Sequence, residues 1–381
     1  MLRKLMMASG TALFLLVAAA CGSSTTGEEA EPSATVPAAE ESNPGTEQPK
    51  VDKTSKNITQ VEANIKFQLD KPEFKQLLDI MQPGPVIPGL ELDLVPQGLD
   101  YIKEKDWFIV SHYRAAGGAS VLSLLDADSG DMVKYFHLNK EDGSVYAGHA
   151  GGVAVSKQHA WVSSDKHLYQ IKLEDIYNGN SDARLKFSDR IETDTRASFN
   201  AYADGVLWVG EFAHGLDYPT NIEHRLMNRA GEEYNAWIMG YKLDEETDTL
   251  PQERLDQRPA RPDYILSVAD RMQGVELLED QIILSQSFGR NNSSELHFHE
   301  NVLLEKPHQH VTIDGVEVPV WFLDKENMIQ KLEGPPMSES AIVKDQTLYV
   351  LFESAADNYH DSGSYPLDRI QYVELDKLPA K

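Results

Sequence analysis

At five places in the 381-residue chain a hydrogen-bonding side chain stands near a small residue at the opening of an apolar run. These are Gln97 before Gly98, His149 before Gly151-Gly152, Asn200 before Ala201, Gln273 before Gly274, and Glu339 beside Ser340-Ala341. Brought together, their Gln, Asn and Glu oxygens suit a hard cation such as calcium. The alternative is a ring of polar groups bonded to one another and to trapped water, as buried polar groups must be. A second set of carboxylates, Asp100, Glu211, Glu276 and Glu353, follows along the same runs or ends the next ones. At suitable separation a pair of these permits glycoside hydrolysis; otherwise they are solvated strand-end acids. An unperturbed imidazole titrates near neutrality, so His149 is a candidate general base, or else the cap of a turn. Arg290 lies in the loop segment Ser287-Phe288-Gly289-Arg290-Asn291-Asn292-Ser293, where it pairs with an anionic ligand or with one of the chain's own carboxylates.

Other chemistry is disfavoured. The pairs His297/His299 and His308/His310 alternate along two candidate strands, a spacing that binds a transition metal or simply forms an outer polar face; the polar face is expected. Cys21 is the only cysteine, which rules out an internal disulfide and a cysteine zinc site. There is no phosphate-cradling glycine loop and no Gly-x-Ser-x-Gly elbow. With 61 acidic residues against 35 basic ones, a formal charge of -26, the chain repels phosphate backbones, so nucleic acid is not an expected partner.

The elements that must position these residues are short strands. From about residue 90 onward, runs rich in Val, Ile, Leu, Trp, Tyr and Phe alternate with Gly, Asp, Asn and Ser. Gln97 to Ile102 precedes Trp107-Phe108-Ile109-Val110-Ser111, and the same order recurs from His149, Phe199, Gln273 and Ser338. Third strands follow at 120–125, 167–173, 236–243, 295–298 and 369–375, and a fourth at 132–138. Four strands per unit at a period of about 50 residues predict an all-β β-propeller whose first strands line the axis. Five blades are counted, and six if 65–94 or 311–332 supplies another. A pair of β-sandwiches also consists of short strands but does not predict the recurring polar-small opening. One helix is expected over 71–81, where Phe74, Leu77, Leu78 and Met81 share a face before Pro83 stops it.

Ahead of the strands, Arg3 and Lys4 precede an apolar run over 11–17 and then Ala18-Ala19-Ala20-Cys21. The run is too short to span a bilayer, which takes roughly 20 residues. It resembles bacterial lipoprotein signals, in which the cysteine is lipidated and becomes the mature N-terminus. Ala18 stands where leucine is usual, and an ordinary secretory signal cut after an alanine is the alternative. Residues 22–58, rich in Ser, Thr, Gly, Pro, Ala and Glu, read as a solvated tether. The expected organisation is a signal over 1–20, a lipidated Cys21 with linker to 58, and a propeller over 59–381.

The blocks Gln97-Gly98-Leu99, His149-Ala150-Gly151-Gly152-Val153-Ala154-Val155, Asp126-Ala127-Asp128-Ser129-Gly130 and Leu207-Trp208-Val209-Gly210-Glu211-Phe212 resemble bacterial secreted propellers of the surface-layer and strictosidine-synthase/lactonase-like assemblage. That resemblance implies a binding protein or a calcium-dependent lactonase or esterase. The expectation is therefore a propeller anchored to the outer face of the bacterial cytoplasmic membrane, on a Gram-positive cell surface. It would bind a small molecule, a saccharide or an envelope protein, or alternatively act as a calcium-dependent hydrolase with an axial site.

Overall fold

The computed structural model describes residues 57–379; the expected signal, Cys21 and nearly all of the expected tether lie outside the described residues. Strands arise where the sequence alternates, and apart from a two-stranded hairpin, Leu226–Met227 with Glu233–Tyr234, they assemble into five mainly antiparallel sheets, or blades. Blade 1 runs from the axis outward as Leu94–Ile102, Trp107–Arg114, Val121–Asp126 and Met132–Asn139, with Ala183–Lys186 added in parallel at its edge. Blade 2 is Gly152–Val155, His159–Ser164, His167–Lys172 and Asp189–Glu192. Blade 3 is Phe199–Ala203, Val206–Gly210, Ala236–Lys242 and Tyr264–Val268, extended by Val316–Phe322 and Gln309–Ile313. Blade 4 is Met272–Leu277, Gln281–Gln286, Ser294–Glu300 and Met328–Gly334. Blade 5 is Ser338–Lys344, Thr347–Phe352 and Arg369–Glu374, and its outermost strand is Gln82–Val86, from the other end of the chain.

Period-two alternation explains why the sheets stack radially. In blade 2, Ala160 and Val162 face blade 1, whereas Trp161 between them faces blade 3. In blade 3, Leu207 and Val209 face blade 2, and Val206 and Trp208 face blade 4. Each sheet is therefore apolar on both sides, and each gap between neighbouring blades holds its own buried cluster. Phe108, Val110 and Leu99 of blade 1 meet Leu351, Ile342 and Ile370 of blade 5 in the gap that closes the circle. Each inner strand packs against the inner strands on either side, round to the first. Gly98 and Gly152 permit a close approach of neighbouring inner strands: a Cβ on Gly98 would sit 2.4 Å from the Val153 amide nitrogen, and one on Gly152 would sit 2.5 Å from Asn200 Oδ1.

Two expectations are corrected. Neither 65–94 nor 311–332 makes a sixth blade: the first supplies the closing strand of blade 5, and the second supplies a strand appended to blade 3 and the outer strand of blade 4. Pro83 and Pro85 suit that closing position, because an edge strand need not donate every amide. The helix over 71–81 contracts to a 3-10 turn, Pro72–Phe74, and four α-helical residues, Lys75–Leu78. So short a helix depends on packing rather than propensity. Phe74, Leu77 and Met81 are buried, and Leu77 sits against Gly334 on the outer strand of blade 4.

Candidate functional site

Inner strands start at the face of the propeller where blades are joined and where second strands turn into third strands. Three of them start irregularly. Pro96 pairs with His112 and Gly98 with Ser111, which leaves Gln97 as an extra residue; Met272 and Gly274 leave Gln273 extra in the same way, and the register also slips between Ser338 and Ala341, around Glu339. A bulge of this kind re-aims a side chain and bends the strand. Here it releases Gln97, Gln273 and Glu339 from strict alternation and turns them toward the axis.

The result is a connected cluster at the channel mouth. Gln97 Nε2 donates to Glu353 Oε2 at 2.7 Å, and Gln97 Oε1 accepts from His149 Nε2 at 2.8 Å. Gln273 Nε2 donates to Glu339 Oε1 at 3.1 Å, and the Glu339 and Glu353 carboxyls are hydrogen-bonded to each other. Two carboxylates in contact cannot both ionise, so this pair holds a proton. Burial and then the charge of Glu353 keep Glu339 well above the ordinary carboxylate range. Burial raises Glu353 to about 7, against the opposing effects of its bonds with Gln97 and Glu339 and the positive charge of Arg290.

Aromatic side chains wall the cluster. Tyr113 stacks on His149 at 4.2 Å between ring centroids, and its hydroxyl bonds that of Tyr359 at 2.7 Å. His149 is open to water at the mouth, yet the surrounding protein withdraws enough solvent to lower it to about 4, so its ring is neutral. Burial likewise raises Tyr359 to about 12 and Tyr113 beyond the usual phenol range. Above them Arg290 lies over the Tyr359 ring at 4.9 Å and donates from Nη1 to Ser362 Oγ at 2.7 Å. Among the described residues it takes part in no ion pair.

Asn200 is near this cluster but does not join it. Its Nδ2 donates to the Trp161 carbonyl at 2.8 Å, and its Oδ1, buried over Gly152, has no hydrogen-bond partner. Asp100 and Glu276 lie farther along the channel, each tied to the next blade: Asp100 Oδ2 accepts from the Val155 amide at 2.6 Å and Glu276 Oε1 from the Val343 amide at 2.9 Å. Burial raises them to about 7 and about 8, and the charge of Asp100 adds to the shift of Glu276.

Glu211 departs from the expected second ring. It is 1% exposed in blade 3, where Oε1 accepts from His224 Nδ1 at 2.6 Å and from the Trp237 amide at 3.1 Å. His224 Nε2 is 3.4 Å from Asp194 and its ring stacks on Trp237 at 4.1 Å. Burial opposes protonation of His224, but bonds to Asp194 and Glu211 overcome it and raise the imidazole to about 9. Carboxylates on both sides thus make His224 a buried cation.

The histidine pairs also differ from expectation. His297 and His299 are buried in blade 4 rather than on an outer face: His297 Nε2 bonds Glu295 at 2.8 Å and His299 Nδ1 bonds Asn327 at 2.7 Å. His308 receives the Phe322 amide at 2.9 Å, while His310 is exposed. Among the described residues no three His, Cys, Asp or Glu side chains gather closely enough to hold a metal ion.

Tyr113 and Tyr359 were not singled out from sequence. The available signal was positional: Tyr113 follows His112, the partner of Pro96, as Glu353 follows Phe352, the partner of Ser338. It is visible only once the bulges are known.

The architecture defines a five-bladed β-propeller. Similar solved structures include Myxococcus xanthus glutaminyl cyclase (10% identity over 77% of this chain and 92% of that one, TM-score 0.35). BamB from Moraxella catarrhalis is similar at 11% identity over 78% and 98%, TM-score 0.33. A putative oxidoreductase (glucose dehydrogenase) from Thermus thermophilus is similar at 12% over 77% and 99%, TM-score 0.40. No activity follows from likenesses this distant. No family model and no curated protein matches the chain.

Proposed function

We propose that this protein is a lipid-anchored, extracytoplasmic propeller that binds a small polar molecule at its axial mouth. One observation carries the binding reading: the hydrogen-bonded Glu339–Glu353 pair, reached by Gln97 and Gln273 beside a water-accessible His149. Buried like-charged groups placed in contact cost stability, and such groups cluster where a ligand or a reaction uses them. The anchor rests on the sequence around Cys21 and the tether after it, and the outer face of a bacterial cytoplasmic membrane is the location that sequence implies.

Hydrolysis is the second reading, because a carboxyl at about 7 beside a protonated partner suits general acid–base work. Hydrogen-bonded carboxyls are closer than the roughly 5 Å that separates the two groups of a retaining glycosidase, so glycoside cleavage is the weaker form of it. Calcium takes six to eight oxygens. Two carboxyls sharing a proton and two glutamines form a thin donor set for it, and no catalytic step is assigned to that ion.

The test uses the full chain in detergent, its thermal unfolding followed with a panel of free amino acids, simple amines, and mono- and disaccharides, with and without calcium. Saturable stabilisation by one class, abolished in the Glu339→Gln/Glu353→Gln double variant, supports the reading. A panel with no effect, or an unchanged response in the double variant, overturns it. For the anchor, Cys21→Ser should lose palmitate labelling and leave the membrane fraction; a variant still labelled and membrane-bound would refute it.

A further inference from the structure

The mouth has opposite electrical ends. Its floor is the Glu339–Glu353 pair, which holds a proton in place of a counter-ion. Its rim carries Arg290, a guanidinium outside any described ion pair in a chain where acids outnumber bases 61 to 35. Contacts link the two ends: Arg290 lies over Tyr359, whose hydroxyl bonds that of Tyr113, which stacks on His149, and His149 bonds Gln97, the donor to Glu353. Between them stand the rings of Tyr113, neutral His149 and Tyr359, whose faces favour a cation. Asn200 Oδ1, 8% exposed and without a partner, adds an unused acceptor at the same end of the channel.

We propose that the mouth recognises an amino-acid-like zwitterion, its ammonium group on the Glu339–Glu353 pair and its carboxylate on Arg290. The proposal rests on the axial binding reading above and names its ligand class. A primary ammonium brings three donors to carboxyl oxygens that now share one proton. Its charge replaces that proton, which leaves to solvent, so both carboxyls ionise while the net charge of the floor is unchanged, the ammonium standing where the proton was. A saccharide has no charge with which to expel the proton. A simple amine expels it but leaves Arg290 unmatched, and a simple carboxylate meets Arg290 but is repelled by the floor. Arg290 suits its part because a planar guanidinium binds a carboxylate through two parallel bonds, and its stack on Tyr359 holds that plane in place.

Titration calorimetry on the full chain in detergent micelles at pH 8, above the Glu353 value of about 7 so that the pair holds one proton, tests this, using the free amino acids, n-propylamine, propionate and glucose in two buffers of different ionisation enthalpy. The expected result is that at least one amino acid binds more tightly than the other three probes and releases a proton, read from the buffer dependence. Glu353→Gln should weaken that binding by about 100-fold or more. Arg290→Met, on a half-exposed side chain, should weaken the amino acid about tenfold or more without weakening n-propylamine. Binding without proton release, an amine that binds as well as the amino acid, or an indifferent Arg290→Met overturns the proposal. Glucose binding alone would overturn the zwitterion and leave the axial site standing; no binding by any probe would remove both.

Discussion

Two pairs of acids share one channel and are held in opposite ways. At the mouth, Glu339 and Glu353 bond each other and two glutamine amides, with no backbone N–H of a neighbouring blade among their hydrogen bonds. Deeper in, Asp100 and Glu276 each accept an amide from the next inner strand, so each ties one blade to the next. Burial raises all four, yet only the deeper pair is consumed by the fold. A carboxyl that accepts a backbone amide of the next inner strand fixes where that strand sits; the mouth carboxyls also reach neighbouring blades, but only through the side chains of Gln97 and Gln273, and fix no backbone. The first arrangement therefore reads as architecture and the second as a site. Glu211 is a third solution, an acid neutralised by a buried histidine cation away from the axis.

Substitutions test this contrast. The largest loss is expected at the Glu211 network: His224→Ala strands a buried carboxylate and should cost about 3–5 kcal/mol in denaturant unfolding at pH 6. Because His224 is raised from 6.5 to about 9, its contribution is fully present below about pH 6.5 and disappears as pH rises through about 9. The penalty should therefore shrink in the same assay at pH 9.5. Next in size, Asp100→Ala leaves the Val155 amide without its acceptor and should cost about 1–3 kcal/mol. A loss no larger than that of a mouth variant would erase the distinction between the pairs.

The deeper pair also predicts a pH profile. Both folded-state values lie above the ordinary 3.8 and 4.5, so the folded protein binds more protons than the unfolded chain. The stability they confer is complete below about pH 4 and is lost as pH rises through about 8. Denaturant midpoints should fall across that window, and Asp100→Asn with Glu276→Gln should flatten the fall without abolishing the amide bonds. An unchanged slope would mean that these acids do not titrate as placed. The smallest expected change is in Glu353→Gln, which keeps an acceptor and removes the shared charge. Its stability at pH 6 should stay within about 1 kcal/mol of the parent while ligand response is lost; a larger drop would make the mouth architectural too.

Much of the fold was legible. The recurring order of runs gave the sheets, because alternation along a strand is a local property and both faces of every blade are apolar. The count of five was legible in the five recurring openings, but the strand that closes the last blade was not, because Gln82–Val86 completes a sheet whose other strands lie more than 250 residues later, and nothing local in Gln82-Pro83-Gly84-Pro85-Val86 names that partner. The candidate site was legible in part. Gln97, His149, Gln273 and Glu339 share a polar-small opening, but what Glu353 and Glu211 do was invisible: both end second strands and look alike in sequence, yet one meets Glu339 and the other meets His224.

By itself, then, the sequence determined what is written in near neighbours: strand period, the small residues that let inner strands approach, the acidic excess, and the lone cysteine after an apolar run. Tertiary structure decided what depends on distant partners. A bulge is a mismatch between two strands and belongs to neither alone, and a carboxyl's proton affinity is set by burial and by charges that other blades bring to it.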